Sequence, residues 1–253
     1  MKARSYSLPV WNLIRTFFRR FFMLRHKYCW LPVAAIFCLL AAIPAQGADG
    51  EKTRDVSIRG TGLALRVPLR VAVYPEKTAH PGDATLHVEV DDLRSFLGDG
   101  VVGRADVLAQ RAALAKGEAE VAEGWEEDGL SEVVSLPTGG YAVIYPWYSQ
   151  FEYCALEFIM NAAFFVGNRR VTIRYSAPPA VITRENPTYF NHEGVKNGCE
   201  TDTIWKLPEE EEHEQILQHF HEALKAGRLG PAATAWYADF TAILASLRKN
   251  PAK

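Results

Sequence analysis

Residues 151–175 read FEYCALEFIMNAAFFVGNRRVTIRY, and this stretch decides the fold. Val171, Ile173 and Tyr175 alternate with Thr172 and Arg174, the period of a strand with one wet face. Upstream, residues 151–166 are apolar on both parities, as in a strand covered on both sides. Gly167-Asn168 between them is a hairpin turn. The upstream run is longer than an ordinary strand, so a bulge or break is expected within it.

Working outward, Tyr141–Tyr148 reads as the preceding strand, reached from Glu132–Leu136 through the turn Pro137-Thr138-Gly139-Gly140. Further upstream, Leu63, Leu65, Val67, Leu69, Val71 and Val73 keep period two, with a bend expected at Pro68. Val56 and Ile58 read as an earlier strand, joined through Gly60-Thr61-Gly62, and residues 48–55 read as frayed. Leu86, Val88 and Val90 mark another strand after the turn His80-Pro81-Gly82-Asp83. Residues 104–123 carry a helical pattern through Val107, Leu114 and Val121, weakened at Gly117. Residues 176–206 lack a period and read as one long loop. Two helices close the chain. One opens at Pro208 with Ile216, Leu217, Phe220 and Leu224 as its stripe. The other starts near Pro231 with Trp236, Phe240, Ile243, Leu244 and Leu247 inward, and Arg248 and Lys249 at its negative end. The whole predicts an α+β fold, one twisted antiparallel sheet packed by helices.

The 253 residues carry a formal charge of -2, but that average joins two unlike pieces. Residues 1–47 hold seven basic side chains and no Asp or Glu; removing them leaves 21 basic against 30 acidic, a net of -9. Leu31–Pro44 is an apolar run too short for a membrane span of roughly 20 residues. Ala45-Gln46-Gly47 supplies small residues for a cut after Gly47. Together these read as a secretory signal, placing the mature protein in a periplasmic or extracellular compartment. Two alternatives stand beside it: an uncleaved anchor, and a basic amphipathic helix over Trp11–Phe22. A start at Met23 would give the signal ordinary proportions, making 1–22 an over-extended start. The remainder, 48–253, reads as a single α+β domain.

Cys29 and Cys38 leave with the signal. Cys154 and Cys199 remain, an even number in an oxidising compartment, and one Cys154–Cys199 disulfide is expected, with two separate buried thiols as the alternative.

Several function classes lose support. The acidic balance gives none to nucleic-acid binding. No G-x-S-x-G, phosphate loop or G-x-G-x-x-G occurs, so no cofactor is implied. His87, Glu89 and Asp91, with Asp83 and Asp92 nearby, are a candidate metal set, and so are His213, His219 and His221 with Glu212 and Glu222. The plainer reading of both is a solvated face. Glu157, inside an apolar run, is expected to pair with Arg170, Arg174 or another cation. The strongest lead is aromatic. Tyr145, Trp147 and Tyr148 on the strand pair, with Tyr189 and Phe190 from the loop, form a candidate binding site for a protein partner or a small ligand. A Cys154–Cys199 bridge would clamp the loop against that pair.

The order Gly140-Tyr141, Ala155-Leu156-Glu157-Phe158, Phe165-Val166-Gly167-Asn168-Arg169-Arg170-Val171-Thr172-Ile173, then Trp236, Phe240, Ile243 and Ser246-Leu247, resembles the later part of the Mog1/PsbP-like family. In layout the resemblance spans Leu63–Leu247 and implies a sandwich of that type. It also implies a non-catalytic accessory or binding role in assembly or maintenance of a larger complex. The chain departs from the pattern by inserting 176–206 and the acidic helix from Pro208, and no functional residue carries over. The competing classes are a secreted hydrolase using carboxylates or a metal, and an envelope structural protein held at the membrane by its uncleaved N-terminal segment.

Amino-terminal sequencing of the exported protein is expected to begin at Ala48. The denatured, unreduced protein is expected to titrate no thiol; two titratable thiols would replace the bridge with separate cysteines.

Overall fold

The computed structural model describes residues 51–75, 84–96, 102–122, 130–151, 155–191, 204–205 and 213–250. The chain divides into two units, 1–47 and 48–253, and every described residue belongs to the second. The signal segment, Cys154, Cys199 and the expected bridge lie outside the described residues, as does Asp83.

The fold is α+β. Strands β1 (Thr53–Ile58) and β2 (Leu63–Pro68) form an antiparallel hairpin. Next come β3 (Ala72–Val73), β4 (Thr85–Asp92), helix α1 (Arg104–Leu114), β5 (Glu132–Ser135), β6 (Tyr141–Phe151), β7 (Ala155–Val166) and β8 (Arg169–Ala177). Helix α2 (Pro179–Glu185), the pair β9 (Phe190–Asn191) and β10 (Ile204–Trp205), helices α3 (His213–Lys225) and α4 (Pro231–Ala245), and β11 (Arg248–Lys249) complete it. The main sheet has six strands in the order β3-β4-β8-β7-β6-β5. Only β3–β4 is parallel, a departure from the purely antiparallel expectation. A second sheet runs β1-β2-β11.

The run 151–166 is not one strand with an internal break: Phe151 ends β6, and β7 runs unbroken from Ala155 to Val166. Strand β7 is covered on both faces, which explains its apolar parity. Phe158, Met160, Ala162 and Phe164 face the larger core with Leu217 and Phe220 of α3 and Trp236 and Phe240 of α4. Ala163 faces the other way, with Val143, Tyr145 and Leu114 of α1. Around Phe158 the larger core is aromatic: Phe190, Trp205 and Phe220 lie 5.7, 6.0 and 5.7 Å away between ring centres. Such pairs add about 0.5–1.5 kcal/mol each beyond the area they bury.

Four local expectations change. Residues 53–55 are paired strand rather than frayed, because β1 hydrogen-bonds along β2. Helix α1 stops at Leu114, shorter than 104–123, and Gly117 follows in the left-handed region at φ 73°. Residues 176–206 are not one loop: the segment holds the end of β8, all of α2, and the β9–β10 pair. Its order comes from contacts distant in sequence. The Glu185 carboxylate accepts the Ala232 N–H at 2.7 Å and the Asn186 side-chain oxygen accepts the Gly230 N–H at 2.8 Å. Both satisfy donors at the start of α4, where the helix dipole also favours the Glu185 charge. Finally, Arg248 and Lys249 form β11 against Ala64 and Leu63 rather than only ending a helix. The Ser246 hydroxyl accepts the Arg66 N–H at 2.7 Å and prepares that pairing.

Replacing Phe158 by Ala is expected to destabilise the protein by about 3–5 kcal/mol in denaturant unfolding, because the cavity opens among packed rings. Tyr141→Ala, at an exposed strand start, is expected to cost less than about 1 kcal/mol in the same measurement.

Candidate functional site

Strand geometry divides the aromatic lead. Successive side chains of β6 point to opposite faces. Tyr148 therefore joins the larger core, while Tyr145 and Trp147 face the side that α1 partly covers. Phe190 is buried in the larger core, 4.6 Å from Trp205, and Tyr189 packs edge-on against Phe220 at 5.3 Å. The structure thus brings Tyr148, Tyr189 and Phe190 together as packing, and sets Tyr145 and Trp147 apart from them. An accessible rim at Phe190 is corrected by its burial.

The face shared by Tyr145 and Trp147 is unusually polar for the middle of a sheet. Cross-strand register aligns Tyr145 with Asn161, Asn161 with Arg174, and Arg174 with His87. The adjacent row aligns Val143, Ala163, Thr172 and Glu89. Tyr145, Asn161 and Thr172 are all buried. The Thr172 hydroxyl oxygen is buried with no hydrogen-bond partner among the described residues. The Tyr145 hydroxyl, the Trp147 indole nitrogen and Arg174 Nε are also out of solvent at this face. At the rim, Arg174 Nη2 lies 3.8 Å from Glu89 Oε2, a half-exposed pair of small energetic weight. His87 meets the exposed Tyr74 ring edge-on at 4.8 Å. Helix α1 seals the neighbouring end, where Arg170 Nε donates to Gln110 Oε1 at 3.1 Å within buried surroundings. Chemically, the row offers a guanidinium, a phenol, an amide and a hydroxyl beside an indole. That set can hold a hydrogen-bonding or anionic group and flank it with an aromatic surface.

Asn161, Thr172 and Arg174 were not singled out from the sequence as binding residues. The available signal was Asn161, the lone polar residue between Phe158 and Val166.

The metal candidates do not assemble. Among the described residues no three His, Cys, Asp or Glu side chains gather closely enough to hold an ion. Asp92 is engaged by Arg94 at 2.5 Å, whose hydrogen bonds hold its carboxyl well below the usual range. Of the helix histidines, His219 is exposed and His221 is buried. With Nδ1 unprotonated, His221 accepts a hydrogen bond from the Tyr148 hydroxyl at 2.8 Å. Burial first, then the nearby Lys225 cation, pulls its imidazole down to about 4 from the ordinary 6.5.

Protein-family models, curated proteins and solved structures were all compared with this chain, and none matches. No described helix is long and apolar enough to cross a membrane.

The depressed His221 pKa has a signed consequence. The folded state holds the imidazole neutral and the unfolded state protonates it below about 6.5, so the unfolded state binds more protons between those values. Stability is therefore full above pH 6.5 and falls as pH drops toward 4, by up to roughly 3 kcal/mol from this group. Denaturant melts at stepped pH should show a flatter profile across that window for His221→Gln than for the native chain. Equal slopes would remove His221 as the source.

Proposed function

We propose that the mature protein is an exported, non-catalytic binding protein whose ligand lies on the polar row of the main sheet. The basic flank, short apolar run and Ala45-Gln46-Gly47 support export. The observation that carries the binding reading is the Thr172 hydroxyl, buried and unpartnered among the described residues, on the row next to Tyr145, Asn161 and Arg174. Leaving a hydroxyl in that condition costs about 1–3 kcal/mol, and a bound acceptor or donor removes the cost. The ligand class that suits these groups is a small molecule with a carboxylate or comparable acceptor and a flat apolar body. Arg174 and the Tyr145 hydroxyl would take the acceptor, Thr172 and Asn161 would fix its orientation, and Trp147 would flank the body. Tyr148, Tyr189 and Phe190 would support the site from the opposite side of the sheet. Within 176–206, Tyr189, Phe190 and Trp205 would act through the core rather than as a rim.

The test is a thermal-shift panel of short aliphatic and aromatic carboxylates on the native chain and three variants. At least one probe is expected to raise the native Tm, and Arg174→Gln and Asn161→Leu are expected to cancel the rise. Thr172→Val keeps the shape and removes the lone hydroxyl. It is expected to stabilise the unliganded protein by about 1 kcal/mol while weakening the probe response. A panel with no response, combined with an unchanged Thr172→Val melt, would sink the proposal.

A further inference from the structure

One end of the fold is assembled from turns that carry arginines. Arg111, near the end of α1, donates through Nη2 to the Gly167 carbonyl at 2.9 Å and through Nη1 to Asn168 Oδ1 at 3.4 Å, both in the β7–β8 turn. Asn168 in turn donates to Asp92 Oδ1 at 3.4 Å, at the end of β4. From the same turn the Arg169 guanidinium reaches the β1–β2 turn and fills the space that a Cβ on Gly60 would need. Gly60 also sits at φ 76°, in the left-handed region that favours glycine. Arg59, next in the chain, is exposed.

The charges at this end are poorly compensated. Among the described residues neither Arg59 nor Arg169 has a carboxylate partner, and Arg111 bonds only to neutral oxygens. Arg94 is matched by Asp92. None of these three guanidiniums has an ion-pair partner among the described residues, and Asp92, opposite Arg169 in the strand register, is taken up by Arg94.

Two large side chains flank the arginines. Leu108, one turn before Arg111, is 43% exposed, and so is Tyr141 at the start of β6. Tyr141 lies at the same end, its ring 3.5 Å from the place of a Cβ on Gly117, just beyond α1. An exposed leucine and tyrosine interleaved with arginines are the composition of a surface that enters a lipid headgroup layer.

We propose that this end of the fold docks onto an anionic lipid surface, with Arg59, Arg111 and Arg169 meeting headgroup phosphates and Leu108 and Tyr141 entering the interface. The surface is distinct from the polar row, and either can fail without the other.

The test uses the full chain, so that the N-terminal segment contributes equally to native and variant. Native chain, the double variant Arg59→Gln with Arg169→Gln, and Leu108→Ser are pelleted with phosphatidylglycerol–phosphatidylcholine vesicles and with phosphatidylcholine vesicles alone. Among the described residues the Arg59 and Arg169 side chains make no hydrogen bond, and unchanged thermal melts will confirm the variants are intact. The double variant is expected to lose on the order of tenfold in partition onto the anionic vesicles, with the difference vanishing in high salt. Leu108→Ser is expected to lose a smaller factor. Native-like partition of the double variant, or the same loss on neutral vesicles, would overturn the proposal. So would an arginine-dependent retention on immobilised polyglutamate with no difference on vesicles, which would assign the patch to an acidic protein partner.

Discussion

Strand β7 has no solvent side, and the rest of the fold is arranged around that constraint. From Phe158 to Phe164 its residues are buried apart from a partial opening at Ile159. A strand in that condition needs a paired neighbour on each edge and a covering layer on each face. Strands β6 and β8 supply the edges. Helices α3 and α4 cover one face with Phe220, Trp236 and Phe240, and α1 covers part of the other with Leu114. Burying each large apolar side chain contributes about 1.5–3 kcal/mol, so the energetic centre of the molecule lies along this strand.

The covering layers are held by contacts that span most of the sequence. Trp236 Nε1 donates to the Tyr175 carbonyl at 3.2 Å, fixing α4 over β8. The Tyr175 hydroxyl donates to Asp239 at 3.2 Å, and Arg70 donates to the same carboxylate at 2.7 Å, tying the segment after β2 to both. Burial of Asp239 pushes its carboxyl pKa up, and Arg70 and Tyr175 oppose that push. The charge is therefore kept by its neighbours rather than by water. Together with the α2 residues that cap α4, these bonds turn a set of amphipathic elements into one packed arrangement.

Much of this was legible from local pattern. Alternation in Val171–Tyr175 and the two-faced apolarity before Gly167 correctly identified β8 and β7, and the stripe from Trp236 to Leu244 identified α4. The segment 176–206 was illegible because α2 has little pattern of its own and gains order by receiving the amides of α4. The strand after Ser246 was hidden for the same reason, since β11 exists only where β2 accepts it. In the candidate site, parity alone separates Tyr145 and Trp147 from Tyr148, and that much was readable in advance. The grouping of Asn161 with Arg174 and Thr172 was not, because it depends on the register of three strands.

By itself, then, the sequence determined the types of the longer elements, the α+β class, and the division into a basic N-terminal piece and an acidic remainder. These follow from composition and from periods of two and 3.6 residues, which are local properties of the chain. Only the tertiary structure decided what covers each face of the sheet, where the polar row forms, and which arginines share an end of the fold. Those outcomes depend on strand register and on which surfaces are covered, and both are set by residues far apart in the chain.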